Sequence, residues 1–124
     1  MGTGGGIPGI PIGITGNFRV NLIDVKERRV FELSRLIKIL NKNNITAIQD
    51  DAYSYINKGG FLVSRCFISS KNVINSLKTN NNTTYLVSSN GEQLDYDSNM
   101  FHVKHENFKI NKDDIRHIDV IKML

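Results

Sequence analysis

The residues best suited to chemistry are three histidines, His102, His105 and His117, with Lys104, Lys109 and Arg116 among them. Such a set could form a metal-independent ribonuclease-type site. One base would take the 2′-hydroxyl proton, one acid would protonate the leaving oxygen, and a cation would hold the phosphate. A metal centre needs three or four converging ligands. On a strand, residues three apart face opposite ways, so His102 and His105 diverge and no metal is expected. Asp50 and Asp51 are adjacent and diverge for the same reason. Asp95 and Asp97 share a strand face, which makes a weak cation pair and reads better as a solvated edge. Cys66 sits in an apolar run with no activating base and reads as a core thiol. A single cysteine excludes an internal disulfide and fits a reducing compartment. No cofactor follows from these residues.

Gly4, Gly5 and Gly6 could offer backbone N–H groups to a phosphate. They lack the Lys-Ser/Thr of a P-loop and a strand ahead of them. The stretch 1–16 holds both prolines and no charge, and proline disfavours a helix. It reads as a Gly/Pro/Ile-rich arm that hides Ile7, Ile10, Ile12 and Ile14 in a groove of this chain or a neighbour, ahead of a single domain over 17–124.

Charge is segregated. Residues 19–42 hold seven basic and three acidic groups, which accounts for the whole net charge of +4. Arg28, Arg29, Arg35, Lys38 and Lys42 therefore read as a face for an anionic ligand, a nucleic acid or an acidic partner. No run approaches the roughly 18 apolar residues of a membrane span, and no basic cluster precedes an apolar run. A cytoplasmic protein is expected. The asparagine-, isoleucine- and lysine-rich usage suits an AT-rich genome, such as that of a low-GC bacterium, its phage or a plasmid.

The elements that must position these groups follow from periodicity. Phe18–Asp24 alternates as a strand with Phe18, Val20 and Leu22 on its buried face. A helix follows over about 27–42, with Val30, Leu33, Leu36, Ile37 and Leu40 on one face and Asp24 as its cap. Asn41 to Asn44 end it. Ile45–Ile56, bent near Asp50-Asp51, and Phe61–Ser69 form a hairpin through Asn57–Gly60. Ser69 or Ser70 caps a short helix over 71–79. Thr83–Ser89 is a strand, and Asn90-Gly91 turns it into a partner over 92–96. Short strands follow near 101–103, 108–110 and 118–120. The last is open to a helical alternative over 113–124.

That order predicts an α+β, ferredoxin-like β-α-β-β-α-β core. Its sheet would be antiparallel, with two helices on one face and an added C-terminal hairpin or strand. Within it, FRVNLID, FELSRLIKILNKNNITAI, FLVSRCFIS and KNVINSL resemble the strands and helices of an ACT domain over residues 18–79. Val30-Phe31 stands near the point where that family commonly has a glycine. The resemblance implies a small regulatory module that senses amino acids and pairs into dimers.

The residues together favour a small non-enzymatic binding or regulatory protein. It would self-associate as a homo-oligomer and present its basic helix face to an anionic partner. The alternatives are a ribonuclease-type bacterial toxin domain using His102 and His105, and an ACT-like amino-acid sensor.

Overall fold

The glycine- and proline-rich start of the chain folds into helix α1 (Gly9–Thr15), and this corrects the expected arm. Pro8 precedes the helix and Pro11 lies in its first turn, where N–H groups have no intrahelical acceptor to lose. The computed structural model describes residues 1–77, 83–89 and 100–123. It divides into two compact units, Met1–Ser54 and Tyr55–Leu124.

In the first unit, β1 (Val20–Asp24) leads through α2 (Glu27–Leu40) to β2 (Ile45–Gln49). β1 and β2 run parallel, with Val20 opposite Ile45 and Asp24 opposite Gln49. The helix is the crossover that a parallel pair requires. Leu22, Ile23 and Asp24 are all buried in succession, as in a parallel strand covered on both faces. The core joins Ile10 of α1, Leu22 of β1, Leu33 of α2 and Ile45 of β2, with Val20, Ile37, Leu40 and Ala47 packed against it. Leu36, expected inside, is 38% exposed. α2 ends at Asn41, whose φ of 51° and ψ of 47° are left-handed. Its first residue is preceded by Lys26, while Asp24 Oδ1 accepts the Lys26 N–H at 3.0 Å. A 3-10 turn, Ala52–Tyr55, follows β2.

Close approach of α1 to the strands depends on missing side chains. A Cβ on Gly13 would stand 2.5 Å from Ile45 Cγ1, and one on Gly9 would overlap the Leu22 side chain.

In the second unit, β3 (Gly60–Arg65), α3 (Ser70–Ser76) and β4 (Thr83–Ser89) form another parallel crossover, with Gly60 opposite Thr83. Ser69 caps α3 by accepting the Asn72 N–H at 3.2 Å. β5 (Phe101–Lys109) and β6 (Ile115–Met123) are antiparallel, and the strand order is β3-β4-β6-β5. The turn between them is closed by Asn111, whose Oδ1 accepts from the N–H groups of Asp113 and Asp114. β5 is thus one nine-residue strand where two short ones were expected, and 115–123 is strand rather than helix. Ile56, Val73, Tyr85 and Ile121 are its largest fully buried side chains.

The antiparallel ferredoxin-like core is therefore overturned. Among the described residues the expected hairpin of 45–56 with 61–69 does not form, since β2 pairs with β1 and β3 with β4. Asp51 stops the first of these strands. Its Oδ1 accepts the Tyr53 N–H at 3.0 Å and its carbonyl accepts the Ser54 N–H at 3.1 Å, which turns the chain. The 90–96 hairpin partner lies outside the described residues. Among those described, no helix is long and apolar enough to cross a membrane.

Candidate functional site

The carboxyl ends of β1 and β2 carry the densest polar structure of the first unit. Asp24 ends β1 and is 4% exposed. Its Oδ2 accepts the Gly4 N–H at 3.0 Å, its Oδ1 accepts from Lys26, and Arg29 Nη1 lies 3.6 Å away. Burial alone would push this carboxyl up. The Lys26 and Gly4 N–H groups and the Arg29 guanidinium outweigh it and hold Asp24 below its ordinary value of 3.8. The Asp50 N–H donates to the Asp24 carbonyl at 3.1 Å, which continues the ladder past the ends of the strands.

The glycine run is tied to that acid. Gly4 and Gly6 have φ of 54° and 87°, values that L side chains rarely adopt. The Thr3 N–H donates to the Ile23 carbonyl at 3.0 Å, and the Gly6 N–H to the Thr3 carbonyl at 2.9 Å. Two of the three N–H groups assigned to a phosphate nest, those of Gly4 and Gly6, are thus directed inward. The run instead lays bare backbone beside a buried carboxylate.

Gly4, Gly6 and Gly9 stand in the spacing G-x-G-x-x-G, which opens α1, with Asp24 twenty residues beyond Gly4. That is the fingerprint of a nucleoside-binding β-α-β unit: tight turn, close backbone approach, close helix packing, and an acid for ribose hydroxyls. The sequence reading missed it. No strand is legible in the residues ahead of the glycines, and Pro8 and Pro11 argue against a helix behind them.

The other expected site residues lie elsewhere. Arg28 is paired with Glu32 at 3.1 Å, whereas Arg35 and Lys38 of α2 and Lys42 just past its end have no carboxylate partner among the described residues. His102 is exposed on β5 opposite Lys122. His105 Nδ1 lies 2.6 Å from Asp119 Oδ1, and the Ser70 hydroxyl donates to Asp119 Oδ2. His117 Nδ1 meets Asn107 Oδ1 at 2.5 Å. Lys104 is engaged by Glu106 at 2.6 Å, a hydrogen bond that raises its pKa, and Arg116 is paired with Asp114. His105, Lys104 and Arg116 are therefore each tied to a different partner, His102 stands exposed on β5, and the set does not meet as acid, base and anion holder. Among the described residues no three metal-ligating side chains converge. Cys66, expected in the core, is exposed with a φ of 53°. Asp95 and Asp97 lie outside the described residues.

Asp119 acts structurally. Asp119→Ala leaves Ser70, buried, and His105, mostly buried, without their shared acceptor, and is expected to cost about 2–4 kcal/mol. Urea denaturation followed by circular dichroism checks this, with Asp119→Asn expected to cost less because it keeps one acceptor oxygen.

Comparison with known proteins bears on the fold and the family. Among solved structures, the chain is similar to yhhF from Escherichia coli, described as a candidate methyltransferase, with a TM-score of 0.70 and 16% identity over 98% of this chain and 74% of that one. An rRNA methylase from Streptococcus thermophilus matches with a TM-score of 0.60 and 12% identity over 98% and 82%. A mutant of MtNAS in complex with S-adenosylmethionine matches with a TM-score of 0.65 and 16% identity over 98% and 52%. No curated protein sequence matches. These likenesses make the fold Rossmann-like, of the kind found in methyltransferases, and the ACT resemblance falls with the ferredoxin-like core. The GidB model, rRNA small subunit methyltransferase G, matches residues 1–119. That match overturns the non-enzymatic regulator, the ribonuclease-type toxin and the amino-acid sensor alike. Matched over nearly its whole length, and carrying the glycine run and buried acid described above, the chain belongs to the GidB family of rRNA small subunit methyltransferase G.

Proposed function

We propose that this chain binds S-adenosylmethionine between its glycine run and Asp24 and directs methyl transfer to RNA of the small ribosomal subunit. One observation carries the cofactor half: the Gly4 N–H is bonded to the carboxylate of Asp24, which ends the first of two parallel strands. The fit is chemical. A buried carboxylate held in its charged form is a strong acceptor for the two hydroxyls of a ribose, and glycines without Cβ atoms let a ligand lie against the main chain. When bound, the cofactor supplies a methyl group made electrophilic by its sulfonium. The chain's residues do the holding. Lys26 and Gly4 orient the Asp24 carboxylate through backbone N–H groups. Arg29 keeps it ionised. Asp50, bonded to the Asp24 carbonyl, fixes the neighbouring strand end. The RNA half rests on family membership and on the cationic bias of residues 19–42.

Titration calorimetry with S-adenosylmethionine, followed by transfer of a labelled methyl group to small-subunit rRNA, tests both halves. Saturable heat that S-adenosylhomocysteine competes away is the expected result. Silence at millimolar cofactor sinks the proposal. Binding with no label on RNA, but label on another acceptor, sinks its RNA half.

A further inference from the structure

The outer face of α2 and the amino ends of the two parallel strands are not used by the cofactor site. Arg28, Arg35 and Lys38 fall within one third of the helix circumference, at 100° per residue, and Lys42 follows the left-handed Asn41 past its end. Phe31 and Ile39 lie among them and are 63% and 77% exposed. α2 has 14 residues and so is about 21 Å long. The cations run from its start, beside Arg29 and Asp24, to Lys42 just past its end.

There they meet a cleft. An open cavity of about 250 Å³ is lined by Gly16, Phe18, Arg19, Lys42 and Asn44, among others. Phe18 is 65% exposed yet seated: a Cβ on Gly16 would come within 2.5 Å of its ring carbons, so the ring lies on bare backbone. The Asn44 amide donates to the Gly13 carbonyl at 2.7 Å and the Phe18 carbonyl at 2.9 Å, which holds the cleft wall. Among the described residues neither Arg19 nor Lys42 has a carboxylate partner. A seated, exposed aromatic ring that shares a cleft with two cations is the chemistry of a stacking platform for an unpaired base with its phosphates close by. The cavity is smaller than sites that enclose a whole drug-sized ligand, and it suits a single base.

We infer that single-stranded RNA docks along α2, its phosphates on Arg35, Lys38 and Lys42 and one base stacked on Phe18 in the cleft that Arg19 and Lys42 also line. Phe18 is six residues of extended chain from Asp24, roughly 20 Å. This is therefore a docking surface remote from the methyl donor, one that holds the substrate while a different nucleotide is modified. The inference deepens the RNA half of the proposed function and rests on that reading, but it is tested by binding alone.

The test uses the 124-residue chain and a fluorescein-labelled, 20-nucleotide single-stranded RNA, with anisotropy read across a salt series. Each phosphate released from single strands contributes about −0.7 to the slope of log affinity on log salt. The triple substitution Arg35→Gln, Lys38→Gln, Lys42→Gln is expected to flatten that slope by about two and to weaken binding about 50-fold at 0.15 M salt. Phe18→Ala is expected to weaken binding about 5- to 150-fold, the range for one stacked base, with the slope unchanged. The chain has no tryptophan, so Phe18→Trp places a lone fluorophore on the platform, and RNA is expected to quench it. An unaltered slope in the triple variant, or Phe18→Trp emission indifferent to RNA, overturns the inference. So does sedimentation that finds a dimer which the triple variant converts to monomer, because the face is then a protein interface. Calorimetry with S-adenosylmethionine on the same proteins separates the two claims. Loss of RNA binding with cofactor binding intact is the expected pattern, while RNA binding on this face by a chain that ignores the cofactor sinks the methyltransferase reading alone.

Discussion

Asp24→Ala is expected to weaken S-adenosylmethionine binding at least 100-fold and to destabilise the first unit by about 2–4 kcal/mol. The affinity loss follows from removing a charged acceptor for ligand hydroxyls, each such hydrogen bond being worth about 1.5–3 kcal/mol. The stability loss follows from the Gly4 and Lys26 N–H groups, which lose a buried carboxylate and keep no other acceptor of comparable strength. Calorimetry measures the first and urea denaturation the second. Full-strength cofactor binding by Asp24→Ala would show that the acid only pins the loop. The pH dependence has a definite sign. Because folding holds the Asp24 carboxyl below its ordinary 3.8, its stabilisation is fully present above that value. It is lost as pH falls from about 4 through the folded-state pKa. Wild type should therefore lose stability on acidification below pH 4 by more than Asp24→Asn does.

Gly6→Val is expected to cost about 3–5 kcal/mol, comparable to the whole stability of a small folded unit. Two terms add. A β-branched residue at a φ of 87° is strained by more than the roughly 1–2 kcal/mol charged to ordinary L residues in that region. A Cβ there would stand 2.5 Å from Ile10 Cδ1 and 3.0 Å from Leu33 Cδ2. Both side chains belong to the core, so overpacking adds about 1–3 kcal/mol. Gly5→Ala is the control. Its Cβ would meet nothing within 4 Å, and a change below about 0.5 kcal/mol is expected. A Gly6→Val protein with an unshifted urea midpoint would mean that the glycine run is not packed on Ile10 and Leu33.

The residue pattern by itself determined several of the local elements, though not α1 or the full length of β5. The 3.6-residue repeat of Leu33, Ile37 and Leu40 specifies α2, Asn41 specifies its left-handed end, and Ser69 specifies the start of α3. The excess of cations falls on residues 19–42, where Arg35 and Lys38 of α2 are exposed and Lys42, just past its end, is half-buried. These signals are legible because each arises from contacts within a few residues along the chain.

Only the tertiary structure decided strand direction and the meaning of the glycines. The only sign of a doubly covered parallel strand in 18–24 is the adjacent pair Leu22-Ile23, and 45–49 is too short to add another, so strand direction is not legible from the pattern. The glycine run reads as an extended arm packed in a groove because its hydrogen-bond partner is twenty residues away. Once Gly4 is bonded to Asp24, the same residues form the bare backbone against which the proposed cofactor would lie. The histidines show the converse. Their spacing suggested chemistry, but His105 is spent on Asp119 and His117 on Asn107. A side chain's role depends on which distant group satisfies it, and that is settled by packing across strands rather than by spacing along one.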